Sequence, residues 1–260
     1  PLIFAFLAVT SINAQKCGTY DGYLEKQIQN YPEFYQGLEE QNKKLAIDHK
    51  KALKQLSAYK TESGKKIIPV VIHNIYNASG GYLSDVAIQG AIDALNRNIN
   101  GQSEILLEMY QNQYLKTPDV FAAVRGIANV EFRLAKLSPV DPNCDTCTAK
   151  PTTGVVRVYT EVTSLGSDAP DPVKAMSYWN SYQYLNIWTV PAFGGSAGGG
   201  LLGYAQFPFG GMMSTDGVVL LANQFASTAS STLTHEVGHW LGLRHIWGDA
   251  ECGDDNIKDT

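Results

Sequence analysis

Three of the five histidines of the chain lie within one short stretch, residues 235–245. His235 and His239 are four residues apart, so on a helix they share a face and can bind one metal ion. Glu236 is displaced from His235 by about 100° around the helix, which lets its carboxylate reach a metal-activated water. His245 would point away on a continued helix, but Gly242 can adopt the left-handed conformation that ends a helix and turns the chain. The pattern therefore predicts a three-histidine metal site.

Three imidazoles leave one coordination position of a zinc ion open for water, which is typical of a catalytic zinc site. Zinc lowers the pKa of that water toward ~7, so Glu236 can take its proton at neutral pH and pass it to a leaving amine. This is the chemistry of peptide-bond hydrolysis. Two alternatives stay open: an inactive zinc-containing binding or adhesion module of the same fold, and a non-peptidase zinc hydrolase. Glu236 argues against the first, and the spacing of Gly242 and His245 argues against the second.

Composition bounds the class of protein. The chain has 260 residues, of which 44% are hydrophobic and 17% charged, so it can bury one large core. A net charge of −5 gives no indication of nucleic-acid binding. Residues 1–9 are a short apolar run, and residues 10–14 follow with a small residue, Ala14, at the cleavage point, which is typical of the end of a secretory signal peptide over residues 1–14. A buried N-terminal strand is the alternative.

This run is too short to cross a bilayer, and no later stretch approaches the ~20 apolar residues that a spanning helix needs. We therefore expect no stable membrane insertion, a secreted, extracellular protein, and a sequence that begins inside its signal peptide. Residues 21–59 are rich in Gln, Lys and Glu and helical in character, and a basic linker follows at residues 61–66. We predict a helical pro-segment over 15–64 and a catalytic domain over 65–260. The oligomeric state is not predicted.

The domain after residue 65 alternates strands with helices. Lys66–Tyr76 is predicted as a strand, and Ser84 or Asp85 can cap a helix whose apolar face comprises Val86, Ile88, Ala91, Ile92, Leu95 and Ile99. Further strands are predicted at Ile127–Leu134, Gly154–Tyr159, Tyr184–Val190, Leu201–Phe207 and Gly217–Ala222. The order predicts an α/β sandwich with helices on a mixed sheet. Leu201–Phe207 is predicted as an edge strand that could bind a peptide substrate as an added strand.

The other two histidines and the cysteine pair at 144 and 147 are interpreted as structural residues. His49 and His73 are expected to be ordinary surface or strand-end residues. Four cysteines suit an exported protein. Cys144 and Cys147 are separated by two residues in a Pro/Asn/Asp/Thr loop, so a local disulfide is favoured over a redox pair or a second zinc site.

The segment that extends the histidine motif resembles a known family. His235 to Asp249 reads HEVGHWLGLRHIWGD, and it is followed by Cys252 and by Asp254–Thr260. This pattern is similar to the pappalysin (M43) family of metzincin zinc metalloproteases. Weaker similarities lie upstream, at Tyr184–Trp188, Gly203–Gln206 and Asp216–Val219, so the resemblance covers roughly residues 67–260.

The resemblance implies a secreted endopeptidase of the α+β metzincin type that cleaves proteins or peptides. Its twisted mixed sheet, backing helix and active-site helix would form the upper subdomain of the catalytic domain. It assigns His235, His239 and His245 as zinc ligands and Glu236 as general base. It also implies a possible calcium site at Asp254, Asp255 and Thr260, for which an acidic solvent-exposed loop is the alternative.

The resemblance further implies that the protein is made as an inactive precursor. Lys16-Cys17-Gly18-Thr19 resembles the segment of related zymogens whose cysteine blocks the zinc, so Cys17 is a candidate zymogen switch, with a disulfide as the alternative. The methionine turn of metzincins and much of the substrate pocket follow the zinc motif, and neither is found before Thr260. We expect these parts, and a partner for Cys252, to lie beyond residue 260.

Overall fold

The structure, a computed structural model, describes residues 64–102, 126–140, 143, 146–162, 165–166, 170–194, 200–208, 211–227, 230–246 and 255, with residues 16–17, 28–29, 32–33 and 36. The strands are β1 Lys16–Cys17, β2 Lys66–Tyr76, β3 Val130–Leu134, β4 Val155–Tyr159, β5 Leu165–Gly166, β6 Leu185–Val190, β7 Phe193–Gly194, β8 Leu201–Ala205 and β9 Val218–Leu221. The helices are α1 Asp85–Ile99, α2 Pro170–Met176, α3 Ala222–Ala226 and α4 Thr232–Trp240. A single 3₁₀ turn covers Met213–Thr215.

Seven strands form one sheet in the order β1-β8-β9-β6-β2-β3, and β4 also pairs with β2. Neighbouring strands run parallel except β8 and β9, which are antiparallel. Strand β2 is central: β6 lies on one side, while β3 and β4 share the other. Six consecutive residues of β2 are buried, as expected for a parallel strand covered on both faces. The mixed sheet predicted from the sequence is confirmed.

Helices α1 and α4 pack on one face of this sheet around a shared apolar core. The cap of α1 is as predicted, because the Ser84 hydroxyl accepts a hydrogen bond from the backbone N–H of Ala87 at 3.2 Å. The prediction that Val86 belongs to the apolar face of α1 is wrong, since its side chain is 83% exposed. Val86 precedes Ile88 by two residues, so it lies outside the stripe that residues three and four apart share.

The opposite face of the sheet carries a second cluster that includes Val173 of α2, Trp188, Tyr204 and Val219. Helix α2 was not predicted. It also brings Lys174 into this layer, where only 1% of the residue is exposed and its ammonium lies 5.5 Å from the Trp188 and Tyr204 ring centroids. The Lys174 ammonium donates a hydrogen bond to the Thr215 carbonyl, which ties α2 to the loop before β9.

Strand limits agree with the predictions to within two residues except at β3, which starts at Val130 rather than Ile127. Asn129 has a φ of 52°, a left-handed conformation that interrupts an extended strand, and Ile127 is 58% exposed. Among the residues that the structure describes, no helix combines the length and the apolar character that crossing a membrane requires.

Candidate metal centre

Helix α4 and the turn after it determine where the three motif histidines lie. The helix ends at Trp240 with Leu241 as its C-cap, and Gly242 follows with a φ of 97°. The turn is closed by hydrogen bonds from the N–H of Gly242 to the His239 carbonyl at 2.8 Å and from the N–H of Leu243 to the Gly238 carbonyl at 2.9 Å. This is the glycine-terminated helix end expected from the sequence. It reverses the chain and returns His245 to the helix face that carries the other two imidazoles.

The three imidazoles converge through their Nε2 atoms. The Nε2 atom of His235 lies 3.0 Å from that of His239 and 3.2 Å from that of His245. Ligand nitrogens around a tetrahedral zinc ion, with bonds of ~2.0–2.1 Å, are separated by roughly 3.3 Å. The donor set and its spacing therefore fit zinc. Among the residues that the structure describes, His235, His239 and His245 form a cluster of potential ligands that could hold a metal ion.

One backbone contact selects the tautomer of His239. Its Nδ1 lies 2.8 Å from the carbonyl oxygen of Leu243, which can only accept, so Nδ1 carries the proton and Nε2 presents its lone pair to a metal. His239 and His245 are 3% and 9% exposed, whereas His235 is exposed. The cluster is therefore open to solvent on the His235 side.

Glu236 lies beside the cluster and against strand β8. The residue is 1% exposed. A Cβ atom built on Gly203 would lie 3.1 Å from the Glu236 Cγ and 3.1 Å from the Val219 carbonyl oxygen, so only glycine fits without displacing a neighbour. On the same side, the Phe207 ring centroid is 5.4 Å from that of His239. Strand β8 therefore runs directly past Glu236. The prediction that Leu201–Phe207 is an edge strand is wrong, because β8 lies between β1 and β9 and is paired on both sides.

A buried polar cluster on β2 was missed by the sequence interpretation. His73 is not a surface or strand-end residue: it is fully buried in the middle of β2 and stacks on Trp188 at 5.0 Å between ring centroids. Its Nε2 lies 2.9 Å from Asn186 Oδ1 and its Nδ1 lies 2.8 Å from Ser177 Oγ. Burial lowers the pKa of His73 to about 4, although the hydrogen bond with Asn186 acts in the opposite direction. His73 is therefore neutral at physiological pH.

Other predicted site residues are described only in part. The backbone of Cys17 lies in β1, beside β8. Cys147 is disulfide-bonded, whereas Cys144 lies outside the described residues, so their pairing stays a prediction. Asp255 is buried, but Asp254 and Thr260 lie outside the described residues and the calcium site stays a prediction. His49 lies outside them as well.

The mixed sheet, its antiparallel strand β8 and the histidine cluster formed by α4 and the turn after it are typical of metzincin-type metalloproteases. The comparisons with known proteins agree. The model of the M43 peptidase family, described as pregnancy-associated plasma protein-A, matches residues 169–260. Mature mirolysin of Tannerella forsythia, solved with a cleaved peptide, is 38% identical with a TM-score of 0.60, and the match covers 75% of this chain and 71% of that chain.

A promirolysin variant from Tannerella forsythia is 34% identical with a TM-score of 0.64, and the match covers 91% of this chain and 73% of that chain. An extracellular metalloprotease of Colletotrichum graminicola is 38% identical over 93 residues, which are 31% of this chain and 31% of the relative's length. The match thus spans about a third of this fungal relative. The chain belongs to the M43 family of metalloproteases.

Proposed function

We propose that this chain is the precursor of a secreted zinc endopeptidase, with His235, His239 and His245 as zinc ligands and Glu236 as general base. The observation that carries the proposal is the convergence of three imidazole Nε2 atoms beside a buried carboxylate and an antiparallel sheet strand. Secretion is supported by the fungal relative, which is named an extracellular metalloprotease. The proposed domains are a signal peptide at 1–14, a pro-segment at 15–64 and a catalytic domain at 65–260.

Bound zinc would supply a Lewis acid that acidifies water and polarises the carbonyl of the bond to be cleaved. Glu236 would take the proton of the attacking water and deliver it to the leaving amine. Its burial against β8 and α4 holds the carboxylate in place and limits competing water. The Leu243 carbonyl keeps the His239 ring in the orientation and tautomer that zinc requires.

Protein or peptide chains are the proposed substrates. A peptide that takes the place of β1 beside β8 after removal of the pro-segment would receive backbone hydrogen bonds along an extended conformation, with side chains left to determine selectivity. The cleaved peptide in the mirolysin structure supports this substrate class.

The experiment that tests the function combines zinc analysis with cleavage of a mixed peptide library by the full-length protein. We expect one zinc ion per chain and cleavage that a chelator abolishes and added zinc restores. Zinc without cleavage, even after removal of the pro-segment, would favour an inactive binding module of the same fold. Absence of zinc would contradict the proposal.

We also propose that the precursor is latent and that Cys17 is the blocking residue. The register of β1 supports this, because Cys17 pairs with Gly203, the β8 residue that contacts Glu236. In that position the pro-segment strand would exclude a substrate strand from β8. The promirolysin neighbour, whose match covers 91% of this chain, gives independent support for a precursor form.

Latency is tested by replacing Cys17 with alanine and Lys16 with alanine as the neighbouring control. We expect Cys17→Ala to cleave itself and a peptide substrate soon after purification, because no thiolate can then displace the attacking water. Lys16→Ala keeps the thiol and should stay latent. A stable, inactive Cys17→Ala precursor that becomes active only after proteolysis would contradict the role of Cys17.

A further inference from the structure

The loop between β8 and β9 is held by buried polar contacts. The Gln206 side chain donates to the Met212 carbonyl at 3.1 Å and accepts from the Thr215 hydroxyl at 2.7 Å. Lys174 donates to the Thr215 carbonyl from the other side. These contacts hold the described residues Gln206 and Met212–Thr215 together, and Asp216 follows them, two residues before the start of β9.

Asp216 is a buried carboxylate whose side chain is directed at helix α4. Both of its oxygens accept from the indole N–H of Trp240, at 3.1 and 3.2 Å. Asp216 is 8% exposed, and burial raises its pKa, against the opposing effects of the Trp240 hydrogen bond, the nearby Lys174 charge and a side-chain hydrogen bond from Ser181. Burying a carboxylate is costly unless its oxygens are hydrogen-bonded, and the indole N–H of Trp240 is a donor that both oxygens share. The pair therefore links Asp216 to helix α4.

Trp240 occupies the position where the histidine motif leaves the helix. It follows His239 directly, and it precedes Leu241, the C-cap of α4. The next residues form the left-handed turn at Gly242 and return the chain to His245. Fixing the Trp240 ring therefore fixes the last helical turn, which carries His239 and starts the reversal toward His245.

We propose that Asp216 is a positioning residue of the metal centre, acting through Trp240 to hold the end of α4 in the conformation that brings His239 and His245 together. Asp216 touches neither ligand nor substrate. Its effect passes from the β8–β9 loop to the helix end through one hydrogen-bonded ring. The inference rests on the proposed function, because it concerns the same metal site.

The test compares four variants of the full chain: Asp216→Ala, Asp216→Asn, Trp240→Phe and Asn96→Ala. Asn96 is the matched control, since its part-buried side chain also makes two hydrogen bonds, to the Phe132 backbone, at a distance from the site. For each variant we would measure zinc affinity by competition with a chromophoric chelator and the visible absorption spectrum of the cobalt(II) form, which reports the geometry of the ligands.

Asp216→Ala should weaken zinc binding roughly tenfold, the lower end of the effect known for outer partners of metal ligands, and should alter the cobalt spectrum. Asp216→Asn keeps an acceptor oxygen for the Trp240 indole, so its zinc affinity and its cobalt spectrum should be close to those of the wild type. Trp240→Phe should weaken zinc binding and alter the cobalt spectrum in the same way as Asp216→Ala, because each change removes the hydrogen bond between the two residues. Asn96→Ala should lower stability and leave both readouts unchanged.

Zinc affinity and a cobalt spectrum of Asp216→Ala equal to those of the wild type would overturn the inference and leave the metal site intact. Equal losses in Asp216→Ala and Asn96→Ala would also overturn it, since general destabilisation would then suffice. If Asp216→Ala does not fold, Trp240→Phe answers the same question. A wild-type protein that binds neither metal would instead contradict the proposed function itself.

Discussion

Burial of neutral His73 should make this fold sensitive to mild acid. Asn186 Oδ1 accepts from the backbone N–H of Trp179 at 2.9 Å, so it acts as an acceptor and His73 Nε2 donates to it. His73 Nδ1 is then the acceptor of the Ser177 hydroxyl. Both nitrogens of the neutral imidazole are therefore hydrogen-bonded. A proton added at Nδ1 would place a positive charge in the sheet interior near Lys174, whose ammonium lies over the Trp188 ring on which His73 stacks.

The sign and size of the effect follow from the two pKa values. The pKa of His73 is lowered from 6.5 to about 4 in the folded protein, mainly by burial. Between these values the unfolded chain binds a proton that the folded chain does not, so the stabilisation is complete above pH 6.5 and is lost as the pH falls toward 4. At 1.36 kcal/mol for each pKa unit, the folded state should lose about 3 kcal/mol from this residue by pH 4.

The assay is urea unfolding followed by tryptophan fluorescence at several pH values between 7.5 and 4, with a chelator present throughout. His73→Gln should be less stable than the wild type at pH 7.5, and its stability should depend less on pH by about 3 kcal/mol over this range. Every other side chain is the same in the two proteins, so its contribution cancels in the comparison. Parallel pH profiles for wild type and variant would refute the reasoning.

Two glycine substitutions test the geometry of the site more directly. Gly203→Ala should slow peptide cleavage roughly tenfold with zinc content unchanged, because its Cβ would lie 3.1 Å from Glu236 Cγ, whereas Gly90→Ala, with no atom within 4 Å, should cleave normally. Equal rates for the two variants would contradict this. Gly242→Ala should cost about 1–2 kcal/mol in unfolding free energy, since its φ is 97°, and should weaken zinc binding by displacing His245. Unchanged zinc affinity would show that the turn tolerates a side chain.

The metal centre could be predicted from sequence because its geometry is local. His235 and His239 are one helical turn apart, and Gly242 supplies the chain reversal within three residues, so spacing alone indicates which side chains meet. The central strand β2 was predicted with its observed limits for a similar reason, because an apolar run bounded by turn residues needs no distant information.

The buried polar contacts that the sequence did not predict join residues that are far apart in the chain. His73 meets Asn186 across 113 residues and Asp216 meets Trp240 across 24, and neither spacing carries a periodic pattern. Helix α2 was missed because two of its seven residues are prolines, which favour turns in sequence yet are tolerated in the first turn of a helix. Helix α3 has five residues and is too short to show a helical period.

The central claim is that Glu236 performs proton transfer at a zinc site formed by the three histidines. The most direct test is a paired measurement on wild type and Glu236→Gln: zinc per chain and the rate of peptide cleavage, both after removal of the pro-segment. We expect one zinc ion in each protein and a rate lower by at least about a hundredfold in the variant. Cleavage by Glu236→Gln at the wild-type rate, with zinc bound, would contradict it.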